Sequence, residues 1–207
     1  MDLNTVLDHL VVPVVVIEDP SRSALVAEGL ATGGLPVAEV TFRTEAAARA
    51  IATMAEDPDF LVGAGTVVTP DQVDRAVEAG ARFIVSPGLS RAVVERARHH
   101  DVPVLPAVVT PTEIMAGLDL GLDTFKFFPA GTFGGASALA ALHGPFPTLR
   151  FMPTGGVRQS NLSEFLALPY VPAVGGTWLT PADADRKTIA ERAARAVDAA
   201  RQIKENA

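Results

Sequence analysis

A lysine sits inside the aromatic, strand-like run Leu122-Asp123-Thr124-Phe125-Lys126-Phe127-Phe128-Pro129-Ala130. The chain has two other lysines, Lys187 and Lys204, and both fall in a polar C-terminal segment that reads as a solvated helix. Desolvation disfavours a protonated amine, so a lysine held among apolar groups can lose its proton near neutral pH and attack carbonyl carbon. Schiff-base formation is the chemistry such a residue offers. A second use of Lys126 stays open on the local sequence, in which it ends a strand and reaches water or pairs with a carboxylate.

Glu39-Val40-Thr41-Phe42-Arg43 supplies the next candidates, because strand alternation places Glu39, Thr41 and Arg43 on one face. Facing inward, they offer a base and a planar cation suited to a carboxylate; a Glu39–Arg43 ion pair with a purely structural role is the alternative. Gly63-Ala64-Gly65-Thr66 and Ser86-Pro87-Gly88 read either as tight turns or as pocket walls. Pro153-Thr154-Gly155-Gly156 and Gly175-Gly176-Thr177 form a more telling pair. Glycine-exposed backbone N–H groups after two late strands are suited to holding a phosphate.

Other chemistries find little support. His9, His99, His100 and His143 are not at expected strand ends, and the His99-His100 pair closes a helix where exposure is expected. No metal-ligand spacing is present, and neither a serine nucleophile elbow, a phosphate-binding P-loop nor a dinucleotide fingerprint occurs. No metal and no cofactor is expected. A formal net charge of -7 with scattered charges gives no nucleic-acid footprint, so an anionic ligand needs a local site. Zero cysteines exclude disulfides and fit a reducing compartment. The N-terminus lacks a basic n-region, and the apolar run 10–17 is too short to cross a bilayer, so a soluble, cytoplasmic protein without membrane partners is expected.

The elements that must position these residues follow a βαβα pattern. Strands are expected at 11–17, 37–42, 60–64, 83–86, 104–108, 124–128, 150–153 and 171–174. Helices are expected at 23–32, 45–56, 70–80, 90–99, 112–121, 135–142, 160–166 and from 184 onward, with an extra helix at 2–9 before the first strand. Thr69-Pro70 and Thr110-Pro111 supply caps, and Gly80 and Gly121 supply stops. Eight repeats in 207 residues, with no linker, predict one domain over 1–207 folded as an α/β (β/α)₈ TIM barrel. A doubly wound open sheet has the same count. The barrel is preferred because the polar candidates gather at C-terminal strand ends, where barrels place their chemistry.

With these motifs in this order, nearly the whole chain resembles the 2-dehydro-3-deoxy-6-phosphogluconate (KDPG) and KHG aldolases. The specific signal is Glu39-Val-Thr-x-Arg43-Thr together with Lys126-Phe-Phe-Pro. The resemblance implies a class I, Schiff-base aldolase that needs no metal and forms a homotrimer. It implies that Lys126 forms the iminium and that Glu39 is the general acid/base. Arg43 and Thr66 would hold the keto-acid carboxylate, Pro87 and Phe128 would shape the pyruvyl pocket, and Thr154, Gly155, Gly156 and Thr177 would line the phosphate end. Thr177 stands where the family usually has serine, which adds a methyl group and keeps the hydroxyl donor.

The implied reaction is reversible cleavage of KDPG to pyruvate and D-glyceraldehyde 3-phosphate, the Entner–Doudoroff step. The expected partners are thus a keto-acid phosphate and pyruvate. Competing readings are an aldolase for the galactonate epimer or 4-hydroxy-2-oxoglutarate, a phosphate-binding barrel isomerase or epimerase, and a non-catalytic sugar-phosphate binding module.

Overall fold

The computed structural model describes residues 2–207. A short helix α1 (Asn4–Leu7) precedes strand β1 (Val11–Val15), and the repeats then run α2 (Ser23–Thr32), β2 (Val37–Thr41), α3 (Ala47–Met54), β3 (Leu61–Gly65), α4 (Pro70–Glu78) and β4 (Ile84–Ser86). The second half continues α5 (Arg91–His99), β5 (Val104–Val108), α6 (Pro111–Asp119), β6 (Thr124–Phe127), α7 (Gly135–His143), β7 (Arg150–Pro153), α8 (Leu162–Leu166), β8 (Val174–Gly176) and α9 (Arg186–Glu205).

The strands are parallel and follow chain order around the sheet, and β8 returns to pair with β1 through Val11–Val174, Val12–Gly175 and Pro13–Gly176. On the other side β8 meets β7 through the parallel bridge Thr154–Gly175, which completes the ring. The eight strands and their alternating helices form the expected (β/α)₈ barrel with an extra N-terminal helix. Strands β1, β2, β3 and β5 are buried along their whole length, as strands covered on both faces must be. Phe83, Phe125, Phe127 and Phe151 are among the large side chains that fill this core.

Local chemistry explains the element starts. Thr69, Ser90, Thr110 and Asp185 each accept a backbone N–H at the head of a helix, and Thr110 with Glu113 completes a capping box. Gly80 and Gly121 follow α4 and α6 at φ +98° and +69°, a region that costs glycine little.

The expected eighth strand at 171–174 is displaced to Val174–Gly176. Pro172 has no N–H to give a sheet ladder, and the pairing with β1 draws Gly175 and Gly176 into the strand. The Thr154 side chain fills the space a Cβ on Gly175 would need. Those glycines therefore belong to the barrel wall, and Thr177 is the first residue beyond it.

Other boundaries shift by less. Phe128 falls just outside β6, the residues 159–161 form a 3-10 turn ahead of α8, and α3 and α1 are shorter than expected. Lys204 is half-buried instead of solvated, donates to the Val171 carbonyl at 2.7 Å, and has its pKa lowered by burial. His100 is likewise half-buried, 2.7 Å from an Asp74 carboxylate oxygen, while His99 is exposed.

Candidate active site

Glu39 lies at the centre of β2 and Lys126 near the end of β6, on strands that are not neighbours in the sheet. Their side chains meet across the barrel. Lys126 Nζ donates to Glu39 Oε1 at 2.9 Å and lies 3.3 Å from Oε2, with the lysine side chain 5% and the glutamate side chain 1% exposed. Removing two charges from water is costly, and their attraction often only offsets that cost. A buried pair of this kind at a barrel mouth is therefore better explained by chemistry than by stability.

The floor is built to admit the pair. The Glu39 carboxylate occupies the position of an absent Cβ on Gly65, so any side chain there would displace it. This is the physical reason for the second glycine of Gly63-Ala-Gly65. The Phe128 ring approaches from the other side, with its centroid 5.3 Å from Lys126 Nζ, a distance at which a cation is attracted to the ring face.

The alternative of a structural Glu39–Arg43 ion pair is not what forms among the described residues. The Glu39 carboxylate is taken by Lys126, and Arg43 lies exposed with no ion-pair partner among the described residues. Two residues beyond the buried Thr41, its guanidinium is left available at the rim. Thr66 follows β3 at φ +58°. A β-branched residue in the left-handed region carries strain of about 1–3 kcal/mol and persists where surrounding structure imposes it.

The glycine loop after β7 is held open by its carbonyls. The Gly155 oxygen accepts from Gly131 N–H at 2.8 Å, and the Gly156 oxygen accepts from the Asn161 side chain at 3.1 Å. Gly155 and Gly156 stand at φ +88° and +82°. The N–H groups of Gly155, Gly156 and Thr177 have no protein acceptor among the described residues. Together they form a local anion-binding edge on an acidic protein.

All the candidates meet at one cavity of about 110 Å³ at the C-terminal mouth. Lys126, Glu39, Arg43, Thr66, Pro87 and Phe128 form one part of its wall, and Thr154, Gly155, Gly156 and Thr177 form the other. Sequence reasoning named no site role for Thr41, Val14 or Val157, which also line it, as does Gly176 of the expected phosphate motif. Alternation along β2 had already placed Thr41 with Glu39; Val14 and Val157 are apolar groups without a chemical signal. Among the described residues, no cluster of three His, Cys, Asp or Glu side chains is arranged to hold a metal.

Comparison with known proteins places this arrangement. Residues 4–195 match the model of the aldolase family described as KDPG and KHG aldolase. The chain belongs to that family. The KHG/KDPG aldolase of Escherichia coli K12 is 44% identical over 92% of each chain. The 2-dehydro-3-deoxy-phosphogluconate aldolase of Dickeya dadantii is 47% identical over 84% of this chain and 82% of its own.

Solved aldolase structures agree in fold. The Zymomonas mobilis ZM4 2-keto-3-deoxy-6-phosphogluconate aldolase, solved with 3-phosphoglycerate, superposes with a TM-score of 0.91 at 43% identity over 94% of each chain. The Legionella pneumophila KDPG aldolase, with pyruvate captured as a covalent carbinolamine, gives 0.90 at 40% identity over 94% of this chain and 97% of its own.

Proposed function

We infer that the protein is a class I aldolase that reversibly cleaves 2-dehydro-3-deoxy-6-phosphogluconate to pyruvate and D-glyceraldehyde 3-phosphate. The observation that carries this reading is the buried Lys126–Glu39 pair at 2.9 Å, set between an available guanidinium and a glycine-lined anion edge. Family membership, and the substrate named in the relatives at 42–47% identity, support the same reaction.

In the proposed mechanism, Arg43 and Thr66 hold the substrate carboxylate, and the Gly155, Gly156 and Thr177 N–H groups hold its phosphate, with Thr154 beside them. The proton that Lys126 gives up has an acceptor in Glu39. The free amine attacks C2, and the resulting carbinolamine loses its hydroxyl as water to leave an iminium. Glu39 then takes the C4 hydroxyl proton as the C3–C4 electron pair moves into the iminium. The aldehyde departs, the enamine is protonated at C3, and water releases pyruvate from Lys126. Pro87 and Phe128 pack the three-carbon fragment.

Borohydride reduction in the presence of pyruvate tests the central claim. An adduct mapped to Lys126 and lost in Lys126→Ala is expected; an active protein that forms no adduct overturns the Schiff-base route.

The chain is further proposed to fold as one domain, to work in the cytoplasm, and to assemble as a homotrimer. No described helix is long and apolar enough to cross a membrane. Met115 and Leu118 on α6 and Phe133 after β6 are large exposed apolar side chains suited to contact between copies, and the resemblance supplies the number three. Light scattering should return the mass of three chains, and a single-chain mass would remove the assembly proposal.

A further inference from the structure

Thr41 has a buried hydroxyl that the mechanism above does not use. Its residue is 1% exposed, its side chain lines the cavity, and its Oγ1 has no hydrogen-bond partner among the described protein groups. A buried hydroxyl left unpaired is destabilising, and such groups are normally satisfied by ordered water or by a ligand. A valine would fill nearly the same volume without that penalty, so packing alone does not account for a threonine.

Its neighbours define what the hydroxyl can reach. Glu39 and Thr41 share one face of β2, Arg43 follows in the turn just beyond its end, and all three line the cavity. Thr41 thus stands in sequence between the residue proposed to move protons and the residue proposed to hold the carboxylate, and it shares the cavity wall with Lys126. A water there finds polar partners in the Thr41 hydroxyl, the Glu39 carboxylate and the reacting C2 group. Two or more such partners are what an ordered buried water needs.

We propose that Thr41 is a positioning residue that holds the water exchanged with C2 during formation and hydrolysis of the Lys126 iminium. In the forward direction, protonated Glu39 gives its proton to the C2 hydroxyl of the carbinolamine. The C–O bond breaks as the nitrogen lone pair forms the C=N bond, and the departing water is retained by Thr41 Oγ1. In hydrolysis the same water attacks C2 while Glu39 takes one of its protons, and the C=N electron pair returns to nitrogen. No further reactant is required.

The inference rests on the Schiff-base reading, and the test separates the two. In unaltered protein, borohydride trapping with pyruvate reports on that reading alone; absence of an adduct in active protein overturns both claims. Thr41→Val and Thr41→Ser are then compared with it. Thr41→Val should keep or raise the unfolding temperature while lowering kcat roughly 10–100-fold, the scale at which misplacing a reacting group is felt. Its KM should change little, and the rate of iminium formation with pyruvate should fall in parallel with kcat.

Thr41→Ser, which keeps the hydroxyl, should restore most of both rates. Unchanged rates in Thr41→Val overturn the proposal, as does a raised KM with unchanged kcat, which would make Thr41 a substrate-binding group instead. Loss of activity accompanied by a large drop in unfolding temperature, with no recovery in Thr41→Ser, would assign the residue to packing and also overturn it.

Discussion

Two ion-paired clusters in this barrel use similar chemical groups in opposite ways. On the outside, Asp74 of α4 joins Arg96 of α5 at 2.6 Å and His100 at 2.7 Å, in a setting where the side chains are 27–37% exposed. In the mouth, Glu39 and Lys126 meet at 2.9 Å with almost no exposure. The outer cluster links adjacent helices at little desolvation cost, and such pairs add modest stability. The inner pair joins strands on different sides of the ring and must bear the full cost of burial. The difference teaches that position, more than distance, tells a clamp from a reactive site.

The largest expected effect comes from taking the inner pair apart. Glu39→Gln should lower kcat by about 10²–10⁴-fold, the range for losing a general acid/base, while pyruvate can still be trapped on Lys126. Unaffected turnover would remove Glu39 from its role.

Stability should move the other way when both charges are removed. Lys126→Met alone leaves a buried carboxylate unpaired and should destabilise by about 3–5 kcal/mol. The double variant Glu39→Gln/Lys126→Met should be inactive yet recover that loss, ending near or above the parent by up to about 4 kcal/mol. Urea unfolding measures both, and a double variant as unstable as the single one would make the pair a structural element.

The outer cluster should show the smallest effect, confined to acid. The Arg96 guanidinium, followed by His100, lowers the Asp74 pKa to about 2 from an ordinary value of 3.8. Because the folded value is depressed, its contribution is fully present above the ordinary value and is lost as pH falls through about 2. Asp74→Asn should therefore keep full activity and unfold slightly more easily at pH 5 than the parent, with the two converging toward pH 2. A difference that grows in acid would reverse the assignment.

Much of this division was legible in the residues. Alternation on β2 marked Glu39 and Arg43, and the aromatic setting of Lys126 marked it as unusual before any fold was known. What strand-level reasoning could not supply was which groups face each other across a closed ring. It kept a Glu39–Arg43 ion pair open as an alternative, where the barrel brings Lys126 to Glu39 from four strands away.

The shift of β8 has a similar origin, since glycine reads as turn locally and only the Thr154 contact reveals why the wall needs it. Lys204 looked solvated because its helix is polar, and its reach to the Val171 carbonyl depends on where that helix docks. Thr66 gave no sign of a left-handed backbone, because threonine rarely adopts one.

The join between β7 and β8 has a mechanical consequence. Here the ring closes at the isolated bridge Thr154–Gly175, next to Gly155, Gly156 and Thr177 on the cavity wall. An anion gripped by those amides would act as a suture across the seam, tying one edge of the cylinder to the other. Occupancy should therefore be felt as slower amide exchange along Val174–Gly176 when inorganic phosphate is added, and equal exchange with and without it would show that the seam holds without the ligand. The hoop would be tightest when the substrate's far end is in place, so that cargo recognition and the rigidity of the vessel become one event.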